Sequence, residues 1–174
     1  MPTVEELVQR IEGLEERLRA AEDVQAIVRL KGHYAELVDA RYTRDGVKDE
    51  AEVARLAREI GQLFTADAVW DGGPGLGLCE GRDAIRERLA KPTLRFAWHY
   101  FVKPRIEVSG DTARGTWDIL SPCTTARGKP MWMAGVERDE YARVDGIWLH
   151  TRMALELVFM SPYESGWAPR ERAE

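Results

Sequence analysis

Two polar side chains lie at or beside positions that the sequence predicts to be buried in a helix. Tyr34 and Asp39 are five residues apart in the segment LKGHYAELVDARY. Tyr34 falls inside the apolar stripe of this helix and Asp39 lies at its margin. A tyrosine can keep its hydroxyl at a wet edge, but a carboxylate near a core needs a partner or a shifted pKa. The helix therefore predicts a polar partner for Asp39 from elsewhere in the chain.

His99 is the other residue whose type could do chemistry, because an imidazole can take up a proton near neutral pH. It lies in the middle of the predicted strand RFAWHYFV. Alternation along a strand places Ala97, His99 and Phe101 on one face. On periodicity alone, a single histidine in a strand is more often a packed or interface residue than a catalyst.

The elements that must position these residues begin with two predicted helices. Residues 4–22 carry Leu7, Ile11, Leu14, Leu18 and Ala21 at alternating spacings of four and three, with Glu and Arg beside them. This pattern is typical either of a helix lying on its own domain or of one that packs on a sister subunit. A second helix is predicted from about Asp23, as N-cap, to about Tyr42, with Lys31 in its apolar arc.

The rest of the chain predicts two short helices and then a run of strands. The helices are EVARLAREIGQLF and RDAIRERLA, and the strands are RFAWHYFV, RIEVSGD, TARGTWDILSP, PMWMAGVERDEYARV and GIWLHTRMALELVF. Helices followed by antiparallel strands indicate an α+β domain. The glycine-rich segment GGPGLGLCEG lacks the Lys-Ser/Thr of a phosphate-binding loop.

Composition excludes several classes of function. The 174 residues fit one domain, and a net charge of −5 argues against a nucleic-acid partner. No apolar run is long enough to span a membrane, and the first residues lack the layout of a secretory signal. Two cysteines without a CxxC motif predict free thiols in a cytoplasmic protein and no metal site.

Four segments together resemble the SnoaL-like family of the nuclear-transport-factor-2-like superfamily. They are LEERLRAAEDVQAIVRLKGHYAELVD, CEGRDAIRERL, WHYFVKPRIEVSGDTARGTW and DEYARVDGIWLHTR. Members include bile-acid 7α-dehydratase, hexachlorocyclohexane dehydrochlorinase and scytalone dehydratase. The resemblance implies an α+β cone, in which a curved antiparallel sheet wraps around the helices and leaves an apolar pocket. It also implies a SnoaL-like domain over residues 23–165, preceded by a helix over 1–22 and followed by a tail over 166–174.

The resemblance gives a role to each of the first three residues. His99 stands where family members have a base, and Asp39 stands where they have the aspartate that orients it. Asp39 would accept one ring N–H and leave the other nitrogen free to remove a proton from carbon. Tyr34 would donate a hydrogen bond to the developing oxyanion or the leaving oxygen. We therefore expect the three residues to form a catalytic site that needs no cofactor.

The chain departs from the family at the residues that would assist the leaving group. A second acid is replaced by Ser121, and the arginines of two relatives fall on Met153 and Leu157. Arg152 is one position away and should point to the other face, together with His150. The sequence thus predicts a pocket without a guanidinium, in which only the dyad and Lys31 carry charge. Such a pocket should prefer neutral ligands to anionic ones.

The pocket is expected to bind a hydrophobic polycyclic or aromatic small molecule. The residues expected to contact it are Trp70, Phe101, Trp117, Ser121, Trp132, Met153 and Leu157. The predicted reaction is a dehydratase-like elimination. Release of formaldehyde from a lignin-derived diaryl propanediol, a polyketide cyclisation or isomerisation, and binding without reaction stay open as alternatives. The family relatives and the amphipathic first helix predict a homotrimer, or else a dimer.

Overall fold

A computed structural model describes residues 1–167, which form three helices and nine strands. The helices are α1 (Val4–Asp39), α2 (Glu50–Gly61) and α3 (Arg82–Leu89). The strands are β1 (Tyr42–Thr43), β2 (Gly46–Val47), β3 (Phe64–Asp71), β4 (Leu78–Glu80), β5 (Leu94–Ala97), β6 (Tyr100–Ser109), β7 (Thr112–Thr125), β8 (Pro130–Val144) and β9 (Ile147–Pro162). The last part of the predicted tail, residues 168–174, lies outside the described residues.

The two predicted N-terminal helices are one continuous helix, α1. It begins at a capping box in which the Thr3 hydroxyl accepts from the Glu6 backbone and the Glu6 carboxylate accepts from the Thr3 backbone. Asp23 was therefore wrongly assigned as an N-cap. Its carboxylate instead accepts hydrogen bonds from Arg143 at 2.6 Å and from the Trp148 indole at 3.1 Å. Asp23 thus joins α1 to the sheet rather than starting a helix.

Seven strands of the described chain form one curved sheet in the order β4-β3-β9-β8-β7-β5, with β6 also paired to β7. All pairs within this sheet are antiparallel except β3 with β9, which is parallel. The sheet is therefore mixed rather than wholly antiparallel. The α+β class is as predicted, with helices first and the long strands after them. Over residues 1–167, no helix is long and apolar enough to cross a membrane.

The C-terminal half of α1 packs against the inner face of the sheet, and α2 and α3 complete the core. The largest apolar cluster joins all three helices to β3 and β9, through residues such as Val38, Ile60, Phe64, Ile85 and Met153. The buried residues of α1 and of α2 recur at helical spacing, which is why those segments fold as helices with one buried side.

A bulge in β9 corrects the predicted faces of that strand. His150 pairs with Tyr141, whereas Arg152 pairs with Glu140, so Thr151 is the extra residue. Because of this bulge, His150 and Met153 both lie in the core, and His150 is completely buried. The prediction for Met153 was correct, and the assignment of His150 to an outer face was wrong.

Candidate active site

Asp39 and His99 are in direct contact where the end of α1 meets the sheet. Oδ1 of Asp39 lies 2.6 Å from Nδ1 of His99. The backbone N–H of His99 also donates to the same carboxylate, at 3.1 Å to Oδ2. His99 lies between β5 and β6, in a gap that splits the single strand expected there. Since its N–H bonds to Asp39 rather than to a neighbouring strand, the carboxylate fixes both the backbone and the ring.

This contact determines which ring nitrogen is available for chemistry. An ionised carboxylate can only accept hydrogen bonds, so Nδ1 carries the proton and Nε2 keeps its lone pair. Within residues 1–167, Nε2 of His99 makes no hydrogen bond. The Phe101 ring stacks on the imidazole, with centroids 6.1 Å apart and planes at 10°. The imidazole is therefore held at a defined orientation with one basic nitrogen unused.

His99 lines a small cavity of about 70 Å³ together with Tyr34 and Trp70. The Trp70 indole N–H points to the Tyr34 hydroxyl oxygen at 3.4 Å. Burial, reinforced by the nearby Glu137 carboxylate, raises the pKa of Tyr34 to about 12. The Tyr34 hydroxyl therefore stays protonated at neutral pH and can donate a hydrogen bond into the cavity.

Two arginines, Arg41 and Arg88, also line this cavity, and neither was predicted from the sequence to do so. Arg41 is buried and donates to the backbone oxygens of Val38 and Leu89, both at 2.9 Å. Arg88 donates to the backbone oxygen of Leu76 at 3.3 Å and lies over the Trp70 ring. Within the described chain neither guanidinium forms a salt bridge. The prediction of a pocket free of guanidinium groups is therefore wrong.

A second group of charges lies in the core next to Phe101. The Lys31 ammonium contacts Glu137 and lies 2.8 Å from Asp139, and all three side chains are buried. The Lys31 ammonium also lies 4.2 Å from the centroid of the Phe101 ring. Lys31 lies in the apolar arc of α1 as predicted, and β8 supplies the two carboxylates that hold its ammonium inside. Charge in the core is thus not limited to the dyad and Lys31.

The carboxylates of this group compensate for the burial of Lys31. Burial alone would lower the pKa of Lys31, but Asp139 and Glu137 outweigh it and hold that pKa above its ordinary value. Burial raises the pKa of Asp139 to about 6, against the opposing effect of Lys31. The Tyr141 hydroxyl donates to Asp139 at 2.9 Å and accepts from the Trp117 indole at 3.0 Å. The group is therefore a connected network and not an unpaired cation.

The structure brings only some of the predicted binding residues to the cavity. Trp70 lines it, while Met153 and Phe101 belong to or pack against the same apolar cluster. Ser121 is completely buried, and its hydroxyl has no hydrogen-bond partner among residues 1–167. Trp117 is used in the Lys31 network rather than at the cavity.

Two further predicted contacts lie away from the cavity. Leu157 is 45% exposed although its pairing with Gly135 continues the register of Met153 with Asp139, because residues 156–158 of β9 are not covered by the rest of the domain. Trp132 stacks on Tyr163, with ring centroids 6.3 Å apart, near the C-terminal end of the described chain. Arg152, whose place was left open, is partly exposed and lies 3.8 Å from Asp71. None of these three residues lines the cavity.

One sequence signal could have revealed the buried acids. In PMWMAGVERDEYARV, alternation puts Met133, Glu137, Asp139 and Tyr141 on one strand face. Two carboxylates on a face with Met133 and Tyr141 need a buried cation, and Lys31 lies in the apolar arc of its helix. Arg41 and Arg88 carried no such signal, because their approach to the cavity depends on how helix ends and loops meet.

Residues 19–154 match the sequence model of the SnoaL-like domain. The chain belongs to the SnoaL-like family. No curated protein shows significant sequence similarity to it. Within residues 1–167, no three His, Cys, Asp or Glu side chains lie together in a group that could hold a metal ion.

Solved structures with the same fold include several from Novosphingobium. Hexachlorocyclohexane dehydrochlorinase LinA-type3 from Novosphingobium barchaimii is 22% identical with a TM-score of 0.69, over 88% of this chain and 99% of that one. A protein from Novosphingobium aromaticivorans, provisionally titled a scytalone dehydratase, is 23% identical with a TM-score of 0.67, over 88% and 97%. An NTF2-like protein with a cystatin-like fold from the same species is 20% identical with a TM-score of 0.62, over 91% and 92%. These similarities establish the NTF2-like fold predicted from the sequence.

Proposed function

We propose that this SnoaL-like protein is a cofactor-independent lyase that eliminates water from a small aromatic or alicyclic substrate. The observation that carries the proposal is the Asp39–His99 contact at a cavity that also holds the Tyr34 hydroxyl. A base, an orienting carboxylate and a hydrogen-bond donor are the groups that a β-elimination needs. The names of the dehydrochlorinase and of the dehydratase-titled neighbour describe eliminations of the same general type.

In the proposed reaction, Nε2 of His99 removes a proton from carbon. Electrons of that C–H bond form the new C=C bond as the neighbouring C–O bond breaks. The departing hydroxyl takes up a proton from solvent and leaves as water, and the proton on His99 returns to solvent, so no net proton is gained or lost. Asp39 stabilises the imidazolium that forms in between, because its carboxylate lies 2.6 Å from Nδ1. Tyr34, which stays protonated, donates a hydrogen bond to the oxygen that gains charge.

Arg41 and Arg88 place positive charge at the cavity, which was not predicted from the sequence. A guanidinium without a carboxylate partner favours negative charge nearby, in a departing oxygen or in an acidic group of the substrate. Arg88 is the better candidate. Its hydrogen bonds to Leu76, Lys91 and Thr93 are long, at 3.3–3.4 Å. Arg41 is buried and donates to two backbone carbonyls at 2.9 Å. We therefore replace the expected preference for neutral ligands by a tolerance for an anionic substituent beside Arg88.

The cavity size limits which part of a substrate can enter. Pockets that enclose drug-sized ligands measure roughly 300–1,000 Å³, whereas this one measures about 70 Å³. The reacting carbon and its substituents fit, but a multi-ring body does not unless the β3–β4 loop moves. Leu76 of that loop lines the cavity. Binding of a polycyclic substrate therefore requires residues 72–77 to open outward.

Product analysis tests the proposal. The wild-type protein is incubated with a panel of hydroxylated steroids, polyketides and aryl propanoids, and products are identified by mass spectrometry. Loss of water from at least one compound, with a new C=C bond, supports the lyase. Formaldehyde release, or an isomer of unchanged mass, would replace dehydration with one of the other base-catalysed reactions. Tight binding without any product would mean that the protein is a binding module.

A further inference from the structure

The N-terminal half of α1 carries an apolar seam that nothing in its own domain covers. Every residue from 1 to 22 is exposed. The seam residues Val4, Leu7, Ile11, Leu14 and Leu18 are between 43% and 77% exposed. About five turns of exposed helix with a continuous apolar edge are unfavourable in water, so this edge indicates a missing partner.

The seam points away from the core of its own domain. At about 100° per residue, the side of α1 that carries the seam continues through Gln25, Arg29, Gly32 and Glu36, which are all exposed. The buried residues of the same helix are Ile27, Lys31, Tyr34 and Val38. These are displaced from the seam by two residues, which is roughly 200° around an α-helix. Because α1 is one continuous helix, the seam keeps this rotational offset from the buried side along its whole length.

The seam also precedes the region shared with the family. The SnoaL-like match begins at residue 19 and runs to residue 154. Residues 4–18 therefore lie outside the matched domain. A helical segment whose apolar edge faces outward is suited to contact between molecules.

We propose that residues 4–22 form a two-stranded parallel coiled coil with the same segment of a second copy of this chain. The seam reads as heptads with Val4, Ile11 and Leu18 at a, and with Leu7, Leu14 and Ala21 at d. In the first two heptads the a residues are β-branched and the d residues are leucines, and this combination favours two strands in a parallel coil. This makes a pair the preferred assembly of the segment, in place of the trimer expected from the sequence.

The charged residues beside the seam favour a second copy of the same segment as the partner, and they favour a parallel orientation. Arg10 and Arg17 occupy g positions, and Glu15 and Glu22 occupy e positions. In a parallel coil each g residue faces the e residue five positions later in the partner. Both arginines then face glutamates, Arg10 with Glu15 and Arg17 with Glu22. An antiparallel coil would instead place arginine beside arginine and glutamate beside glutamate.

Sedimentation equilibrium of the full chain tests the pairing. The variant Ile11→Glu/Leu14→Glu puts two charges into the seam, and the control Gln9→Glu/Gly13→Glu adds the same charge on the opposite face. At micromolar concentration we expect the seam variant to have half the mass of the wild type and the control to have the full mass. Circular dichroism should show a folded domain in all three, since the changed positions are exposed. The proposal is overturned if the wild type and the seam variant have equal mass. It is also overturned if the mass of the seam variant is one third of the wild-type mass.

Orientation is tested by cross-linking. A Val4→Cys variant should form an intermolecular disulfide in mild oxidant, because a parallel coil places the two copies of position 4 side by side. The wild type, with its own Cys79 and Cys123, is the control for background cross-linking. Absence of cross-linking above that background, with cross-linking between Val4→Cys and Ala21→Cys in a mixture, would show an antiparallel coil and overturn the proposal.

Discussion

The Nδ1 atom of His99 lies 2.6 Å from Oδ1 of Asp39, and the backbone N–H of His99 donates to the same carboxylate. One side chain at the end of a helix thus fixes the position of a residue that interrupts a strand. Loss of the charge on Asp39 should affect the imidazole in two ways. The ring can turn or change tautomer, and the imidazolium loses its counter-charge.

Replacing Asp39 by Asn should reduce kcat/KM by roughly 10² or more, because proton removal by His99 then lacks its orienting charge. The exposed Asp45→Asn variant is the matched control and should keep wild-type activity. Steady-state kinetics on the best substrate of the panel provide the measurement. Equal rates for the two variants would remove Asp39 from the mechanism.

Arg88 should determine the response to charged ligands. Changing Arg88 to Met should weaken binding of an anionic ligand by about tenfold, which corresponds to about 1.4 kcal/mol, and leave its matched neutral analogue unchanged. Arg86→Met is the control, since Arg86 lies on the same helix and pairs with Asp83 at 3.3 Å. Calorimetry with both ligands gives the comparison. If Arg88→Met weakens neither ligand, the cavity does not use this guanidinium.

Lys31 should contribute to the stability of the fold. Lys31→Met leaves Glu137 and Asp139 buried without their cation, which costs about 3–5 kcal/mol in the free energy of unfolding. Adding Glu137→Gln and Asp139→Asn should recover part of the loss, because the core is then neutral. Urea unfolding of the three proteins measures both effects. A Lys31→Met protein as stable as the wild type would show that the network of Lys31, Glu137 and Asp139 does not stabilise the fold.

His150 should make the protein sensitive to acid. Burial, aided by Lys31, holds the pKa of His150 well below its ordinary value, and neither ring nitrogen has a hydrogen-bond partner within residues 1–167. Below pH 6.5 the unfolded chain therefore binds a proton that the folded chain does not. The stability that this group contributes is fully present above pH 6.5. As the pH decreases below 6.5, the free energy of unfolding decreases by about 1.4 kcal/mol per pH unit.

Asp139 opposes this effect over part of the range. Its pKa is raised to about 6, so the folded state binds the extra proton between about pH 4 and pH 6, and its contribution grows as the pH falls. A His150→Leu variant retains Asp139 and removes only the histidine. We expect its unfolding free energy to fall less than that of the wild type between pH 7 and pH 5.5. The same slope in both proteins would show that His150 is protonated in the folded state.

The sequence predicted the α+β class and the Asp39–His99 contact because both depend on local patterns and on a family resemblance. Helical and strand periodicity are properties of short segments, and they identified the inner face of α1 and the face of His99. The face of His150 was predicted wrongly because a bulge at Thr151 changes which residues face inward, and periodicity does not predict where a strand bulges. Leu157 keeps the register of Met153 but lies where β9 is exposed, and periodicity does not predict where the covering elements end. Arg41 and Arg88 were missed because loops and helix ends bring them to the cavity.

The role of His99 as the base is decided by comparing the rates of product formation by His99→Ala and His33→Ala. The chain has three histidines, and His33 is the exposed one, 3.5 Å from Glu36 on the outer side of α1. With the best dehydration substrate, His99→Ala should lose activity by roughly 10² or more, and His33→Ala should match the wild type. A folded His99→Ala protein that dehydrates the substrate at the wild-type rate would contradict the assignment of His99 as the base.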